Sequence, residues 1–275
     1  MHLAPISIFV YNRPKHTKTM LNTLSNCLLI KNSKVYFFVD GPKKSDDKEK
    51  VKEVIKILNN FKKKHKKTVI NISNKNLGTY LNLINGISNI LKKHKKIIVL
   101  EDDLKLKKNY LLFMNQALSK YSTKKNILQI SGYSYPIETK NSEAYFLNLT
   151  SCWGWGTWND RWIKFSKFLN KKSEISSICE QIELNKNMKY QFNICNSYNY
   201  LNFLKKQITS NFNSWGVLFY LYSFKNKNLN LFPALSLVEN LGFDGTGLHK
   251  SRSNVYNLDT NKRIIKFKHT SKIYN

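Results

Sequence analysis

Acidic residues are scarce in this chain. Its 275 residues include 46 lysines and arginines but only 17 aspartates and glutamates, which gives a formal net charge of +29. Three explanations of this charge stay open: a nucleic-acid partner, attraction to an anionic membrane surface or phosphorylated substrate, and a coding bias toward lysine, asparagine and isoleucine. The lysines do not alternate with aromatic residues as they do on base-stacking platforms, so nucleic acid is the least favoured partner.

Long apolar runs, paired cysteines and common phosphate-binding loops are also absent from the sequence. The most apolar stretch, 215–224, is much shorter than the roughly 18–20 residues that span a bilayer. The four cysteines form no CxxC pair, which disfavours a zinc site or a disulfide framework. Neither a GxGxxG turn nor a GxxxxGK[ST] loop is present, which disfavours a dinucleotide or P-loop site. The chain enters a strand-like segment directly after Pro5, so we expect a cytoplasmic protein without a signal peptide.

Strand-like and helix-like segments alternate through the first hundred or so residues. Short apolar segments bounded by turn residues predict strands at 6–11, 35–39, 68–72 and 97–100. Helical spacing of apolar residues predicts helices after Pro14, over 46–64 and over 81–91. This alternation predicts an α/β fold with a Rossmann-like, mostly parallel sheet flanked by helices. Further strands at 127–131, 144–149 and 231–238, with a polar helical region at 173–211, predict a mixed C-terminal half.

Polar residues follow each of the four predicted N-terminal strands. They are Asn12 and Arg13, then Asp40 and Gly41, then 74–78, and finally 101–103. Because ligands of open parallel sheets bind beyond the carboxyl ends of the strands, these residues are expected to line one pocket.

The acidic sequence Glu101-Asp102-Asp103 comes directly after the fourth predicted strand. Adjacent carboxylates at a buried strand end repel one another unless a cation or hydrogen-bond donors compensate their charge. Hard oxygen ligands suit magnesium or manganese, which bind through a few carboxylates together with substrate phosphates. We therefore predict a metal site here, although a solvated acidic turn would have the same sequence.

Three other features have both a functional and a structural interpretation. Asp40 either accepts hydrogen bonds from a nucleoside or forms a turn before Gly41-Pro42. The indoles at 153, 155 and 158 either stack on sugar rings or belong to the core. His249, at the end of a glycine-rich loop, either completes a metal site or is structural.

These motifs, taken in order, resemble those of bacterial GT-A glycosyltransferases of the family 2 type, with a distant similarity to the N-acetylglucosaminyltransferase I family. The resemblance covers about residues 6–249 and rests on Asn12-Arg13-Pro14, Val39-Asp40-Gly41, Asn76-Leu77-Gly78, Leu100-Glu101-Asp102-Asp103-Leu104, the segment 152–158 and the segment 240–249. It implies a single GT-A domain at 1–249, with a nucleotide-binding half (1–104) and an acceptor-binding half (105–249). Residues 250–275 would then form a basic tail.

The resemblance also implies roles for particular residues. Asp103 would be a direct ligand of a manganese or magnesium ion, and His249 is a second candidate ligand. The nucleotide-sugar donor would be bound by Asn12, Arg13, Asp40, Asn76, Gly78, Glu101, Asp102 and Trp155. Such enzymes invert the anomeric centre of the transferred sugar.

One position departs from the family pattern. The acidic residue that serves as catalytic base in the family precedes a tryptophan, but the matching segment here is Asn213-Ser214-Trp215. An amide cannot accept a proton from a hydroxyl at a useful pKa. Asp244, Asp160 and Glu239 are therefore the alternative candidates for the base, and loss of activity is a further alternative.

The sequence thus favours an inverting glycosyltransferase that acts on a surface-glycan acceptor such as lipopolysaccharide, capsule or a lipid-linked oligosaccharide. A basic tail and a surplus of lysine predict contact with the anionic inner face of the membrane. A nucleotidyltransferase would use similar carboxylates, but no glycine-rich triphosphate loop is present near the N-terminus. The non-enzymatic alternative is a catalytically silent relative, or a basic module that binds glycan or nucleic acid.

Overall fold

A computed structural model of the chain describes residues 2–135, 144–210 and 214–245. Its strands are β1 (Ile6–Val10), β2 (Val35–Val39), β3 (Thr68–Ile72), β4 (Lys96–Glu101), β5 (Leu104–Leu106), β6 (Ile127–Ser131), β7 (Tyr145–Leu147), β8 (Trp155–Trp158), β9 (Leu229–Phe232) and β10 (Val238–Asn240). Its α-helices are α1 (Pro14–Ser25), α2 (Asp47–Lys64), α3 (Gly78–Leu91), α4 (Tyr110–Lys120), α5 (Asn159–Leu169), α6 (Lys172–Leu184), α7 (Lys186–Phe192), α8 (Tyr200–Thr209) and α9 (Trp215–Lys225).

Within the described ranges the strands form one large sheet and one small sheet. The large sheet has the order β3-β2-β1-β4-β8-β6-β9-β7, and β10 pairs with β5 in the small one. Strands β3, β2, β1 and β4 are parallel neighbours, and β6 and β9 are parallel to each other. Strand β8 runs antiparallel to both β4 and β6, and β7 runs antiparallel to β9. This architecture confirms the predicted fold class, an α/β fold with a mostly parallel sheet flanked by helices and a mixed C-terminal half.

Helices cover both faces of the large sheet, which explains why its central strands are apolar on both sides. Because side chains alternate between the two faces of a strand, Ile8 and Phe9 of β1 enter different cores. Ile8 packs in the core that contains residues of α1, α2 and α4. Phe9 packs in the core that contains residues of α3, α5 and α9.

Two parts of the C-terminal half differ from the sequence prediction. The predicted strand at 231–238 is divided into β9, in the large sheet, and β10, in the small one. Pro233 lies directly after β9, and proline has no N–H with which to continue a ladder. The segment Trp155–Trp158, which was not among the predicted strands, forms β8 between β4 and β6.

The helices of the described residues include none that could cross a lipid bilayer. The most apolar of them, α9, has 11 residues.

Candidate active site

The first four parallel strands end at the same edge of the large sheet. Val10 of β1 is in register with Val39 of β2, and Val39 is in register with Ile72 of β3. Phe9 is in register with Glu101, the last residue of β4. Helices α1, α2 and α3 begin beyond this edge, and the N-termini of helices favour anions such as phosphate groups. The predicted pocket residues that follow these strands are therefore brought to one edge.

Asp40 joins the loop after β2 to the start of α3. Its Oδ1 accepts hydrogen bonds from the backbone N–H of Gly41 (2.9 Å) and Leu77 (2.7 Å). Its Oδ2 accepts from the N–H of Gly78 (2.9 Å) and from Asn76 Nδ2 (3.3 Å). Asp40 is 4% exposed, and these four donors already use the acceptor positions of its carboxylate. The geometry thus favours a positioning role for Asp40 over the direct nucleoside contact that the sequence predicted.

Glycine is required where these two loops meet. A Cβ on Gly41 would lie 2.5 Å from the carbonyl carbon of Lys75, so only glycine allows this approach of the two backbones. Asn76 Nδ2 also donates to the carbonyl of Gly41 at 2.7 Å. Asn76 and Gly78 therefore shape the loop beside the pocket, and Gly78 has a φ of +74°.

A second set of contacts links the end of β1 to the start of α2. Asp47, the first residue of α2, accepts hydrogen bonds from Tyr11 Oη and Asn12 Nδ2, both at 2.7 Å. Burial raises the pKa of Tyr11 to about 12, and the hydrogen bond to Asp47 adds to that shift. Asn12 thus holds the loop that carries Arg13. Sequence reasoning missed Asp47, although an aspartate at a helix N-terminus is a common signal.

The acidic triplet lies around the guanidinium of Arg13. Arg13 Nη2 contacts Asp102 Oδ1 and also lies 3.1 Å from Asp103 Oδ2, and Arg13 Nε is 3.4 Å from Asp102 Oδ2. The Asp102 side chain is 4% exposed, that of Asp103 is 15% exposed and that of Arg13 is 20% exposed. One cation therefore faces two of three adjacent carboxylates.

Burial and repulsion both act on the acidic triplet. Burial raises the pKa of Glu101 above its usual range, and the neighbouring charges of Asp103 and Asp102 raise it further. Burial also raises the pKa of Asp102, although Arg13 opposes that shift. If all three carboxylates ionise, Arg13 leaves two negative charges uncompensated, and a divalent cation matches that charge.

The donor set fits a metal ion that is shared with a substrate. Among the residues the structure describes, no three His, Cys, Asp or Glu side chains form a complete metal-binding group. Magnesium and manganese sites that include nucleotide phosphates need only about one or two carboxylates. Asp102 and Asp103 supply such oxygens, and Asp103 is the more exposed of the two.

The loop after β10 packs directly on Asp103. The N–H of Leu241 donates to the carbonyl of Asp103 at 2.8 Å. A Cβ on Gly242 would lie 2.4 Å from Asp103 Oδ2, so a larger residue here would displace the Asp103 carboxylate. Asp244 follows two residues later and lies 3.2 Å from His16 Nε2. His16 is one turn beyond Arg13 on α1, and that helical spacing would have placed it at the site, although sequence reasoning missed it.

The three candidate bases lie in different places. Asp244 lies two residues after Gly242, which packs against Asp103, and its side chain is 43% exposed. Asp160 lies at the opposite edge of the sheet, because Trp158 pairs with Lys96 at the start of β4, and its carboxylate bonds to Lys125 and Arg161. It also lines a cavity of about 250 Å³ formed around α5 and the end of α9. Glu239 is on the exposed face of β10, 3.2 Å from Lys105. The structure therefore brings Asp244, but not Asp160 or Glu239, to the carboxylate cluster.

The tryptophans of the 152–158 segment divide between the site and the core. Trp155 is fully buried and stacks on Trp215 with ring centroids 5.2 Å apart, which favours its core role over contact with the donor. Trp158 is 3% exposed and donates to the carbonyl of Leu118. Trp153 is half-buried and packs edge-to-face on Phe243, in the loop that carries Asp244. Trp153 is therefore the indole of this segment that borders the site.

Two residues that the sequence analysis named lie outside the described residues. They are His249, the second candidate metal ligand, and Asn213, which occupies the expected position of the base.

Cys152 is a further neighbour of the triplet that the sequence did not indicate. Burial raises the pKa of Cys152, and the charge of Glu101 raises it further.

Three solved structures resemble the chain at low sequence identity. GalNAc-T7 with UDP, GalNAc and Mn²⁺ is 11% identical with a TM-score of 0.47, and the match covers 86% of this chain and 43% of that one. TarS 1–349 of S. aureus is 12% identical with a TM-score of 0.45, covering 84% and 58%. The mannosyltransferase PcManGT of Pyrobaculum calidifontis, with GDP-Man and Mn²⁺, is 8% identical with a TM-score of 0.42, covering 62% and 48%.

The chain spans about half the length of these three structures. No profile of a known protein family matches the chain, and no curated protein matches it significantly. Because TM-scores and identities this low do not transfer an activity, the function proposed below rests on the residues of this chain.

Proposed function

We propose that this protein is a glycosyltransferase that moves a sugar from a nucleotide-sugar donor to a glycan acceptor. The observation that carries the proposal is the acidic triplet at the end of β4, held by Arg13 at the same edge as the loops after β1, β2 and β3. This arrangement combines oxygen ligands, a guanidinium and helix N-termini, which are the groups that bind a diphosphate and its metal ion. The two halves at 1–104 and 105–249 would bind donor and acceptor respectively.

Each described group has a task in this proposal. The loops ordered by Asp40 and Asp47 form the nucleoside side of the pocket. Asp102 and Asp103 would hold a manganese or magnesium ion, which supplies Lewis-acid stabilisation of the departing diphosphate when bound. Trp153 and Phe243 form an aromatic wall suited to the C–H face of a sugar.

Asp244 is the base that we favour among the three candidates. It lies beside the triplet, on a loop fixed by contact of Gly242 with Asp103. Its carboxylate would take the proton from the acceptor hydroxyl as that oxygen attacks the anomeric carbon and the nucleoside diphosphate leaves. Attack opposite the leaving group inverts the anomeric centre. The contact with His16 Nε2, at 3.2 Å, holds the carboxylate in place.

The experiment that tests the proposal is a thermal-shift panel of UDP-, GDP-, CMP- and dTDP-linked sugars, each with and without Mn²⁺. We expect one nucleotide class to raise the melting temperature, and Mn²⁺ to increase the rise, because a ligand that binds the folded state stabilises it. Transfer or hydrolysis of the stabilising donor then tests for catalysis. No stabilisation by any nucleotide sugar would contradict the proposal.

A catalytically silent, glycan-binding relative is the second candidate. The observation in its favour is that Asp244 is already paired with His16, which reduces its availability as a base. Stabilisation by a nucleotide sugar without transfer to a surface glycan or hydrolysis would support this candidate. Contact with the anionic inner face of the membrane remains a proposal for either function, and co-sedimentation with anionic but not neutral vesicles tests it.

A further inference from the structure

The charge of the acidic triplet is compensated from within the chain. The Arg13 guanidinium contacts carboxylate oxygens of both Asp102 and Asp103. The same two carboxylates would hold a metal ion. An arginine guanidinium stays protonated in proteins, so Arg13 places a permanent positive charge against these two carboxylates. A divalent metal ion bound here would therefore lie against the same carboxylates as the positive charge of Arg13.

The surroundings keep this arrangement in place from both sides. Arg13 precedes α1 and follows Asn12, which Asp47 holds at 2.7 Å. Asp103 is held by Leu241 through its carbonyl and is covered by Gly242. The Arg13 side chain is 20% exposed, so part of it is accessible to a ligand in the pocket.

We infer that Arg13 is a built-in counter-ion that competes with the divalent metal ion, so that the metal binds tightly only together with a nucleoside diphosphate. The inference rests on the proposed function and concerns the order and strength of ligand binding. A guanidinium and a divalent cation on the same two carboxylates repel each other strongly at such short distances. A diphosphate relieves the conflict, because its oxygens accept paired hydrogen bonds from a guanidinium and also bind the metal ion.

The consequence is a coupling between the two ligands that depends on one side chain. Couplings of this kind typically change affinity by roughly 5- to 150-fold, and the effect is reciprocal. In the native protein, Mn²⁺ alone should bind weakly and a nucleoside diphosphate should strengthen its binding. Removing the guanidinium should strengthen the binding of Mn²⁺ alone and reduce the additional effect of the nucleotide.

The test is a titration with Mn²⁺ followed by electron paramagnetic resonance of the free ion, at about pH 8, where ordinary carboxylates are ionised. Each protein is titrated with Mn²⁺ alone, with Mn²⁺ and UDP, and with Mn²⁺ and GDP. The variants are Arg13→Gln, which removes the charge, and Arg13→Lys, which keeps the charge but loses the planar fork. Lys105→Gln is the matched control, since it removes a cation two residues from Asp103 that pairs with Glu239 instead.

For Arg13→Gln we expect Mn²⁺ alone to bind at least about 5-fold more tightly than in the native protein, with a smaller effect of the nucleotide. Arg13→Lys should give an intermediate affinity, and Lys105→Gln should match the native protein. Because Arg13→Gln leaves buried Asp102 without its cation, circular dichroism must show that the variant is folded. If it is not, the intermediate affinity expected of Arg13→Lys becomes the deciding measurement.

Two outcomes would overturn the inference. One is unchanged or weaker binding of Mn²⁺ alone in a folded Arg13 variant. The other is a gain of the same size in Lys105→Gln, which would show a general effect of charge. Failure of the proposed function looks different, because no nucleotide sugar of the thermal-shift panel would then stabilise the native protein.

Discussion

Substitution of Asp40 by asparagine tests whether the Asp40 carboxylate holds the neighbouring loops in position or contacts a ligand. The new side-chain amide would offer an NH₂ group in place of one of two oxygens that together accept four hydrogen bonds. Even if the Asn76 amide rotates to accept from the new NH₂ group, the backbone N–H of Gly78 is left facing a donor. A buried donor without an acceptor costs about 1–3 kcal/mol, and the remaining bonds lose the contribution of the charge.

We therefore expect Asp40→Asn to lower the free energy of unfolding of the ligand-free protein by roughly 2–4 kcal/mol. For a domain of this size that corresponds to a fall in Tm of roughly 4–16 °C. Thermal denaturation followed by circular dichroism measures it. Asp46→Asn is the matched control. Asp46 is exposed and its carboxylate accepts a hydrogen bond from the Ser45 hydroxyl at 3.2 Å, so the Tm of this variant should stay within about 2 °C of the native value.

The reasoning would be refuted by an Asp40→Asn variant with native Tm that has lost nucleotide binding. That result would mean that the carboxylate acts on the ligand and that its contacts with the chain contribute little. A fall in Tm accompanied by weakened nucleotide binding is the expected pattern, because the loop that Asp40 holds forms one side of the pocket.

Three further predictions concern the site. Asp103→Ala should abolish the Mn²⁺-dependent part of nucleotide stabilisation and keep the apo Tm near the native value, and persistence of the metal effect would exclude Asp103 as a ligand. Asp244→Asn should slow sugar transfer by ~10²–10⁴-fold with little change in donor affinity, whereas Glu239→Gln should leave the rate unchanged. Equal transfer rates of the two variants in steady-state assays would exclude Asp244 as the base. Trp155→Ala should lower stability by about 3–5 kcal/mol in chemical denaturation, whereas Trp153→Ala should mainly weaken binding of the nucleotide sugar relative to the free nucleotide. The reverse result would place Trp155 at the ligand.

Local signals account for what the sequence could predict. The four N-terminal strands are short apolar segments bounded by turn residues, and each lies within a residue of its predicted bounds. Parallel pairing follows from the helices between them, since a strand that returns in the same direction needs a crossover. The position of Glu101-Asp102-Asp103 at a strand end then follows from chain order. The fold class and the pocket edge were thus determined by the sequence.

The C-terminal half could not be predicted in the same way. Its segment Trp155–Trp158 contains a glycine and is followed by polar residues, which are typical of a surface loop. In the structure the segment lies between β4 and β6, and Trp155 is fully buried. That burial depends on α5 and α9 packing over the strand. Asp160 shows the same limitation, because its place at the opposite edge depends on the antiparallel direction of β8.

The detailed chemistry of the site was decided only by the tertiary structure. Arg13 and Asp102 are 89 residues apart in the chain, and Asp40 and Gly78 are 38 apart, so no periodicity or spacing connects them. Sequence patterns report which residues share a face of one helix or strand. The sheet brings separate strand ends together, and only that arrangement decides which charges compensate each other. It also decides which carboxylates already accept hydrogen bonds from the chain's own donors.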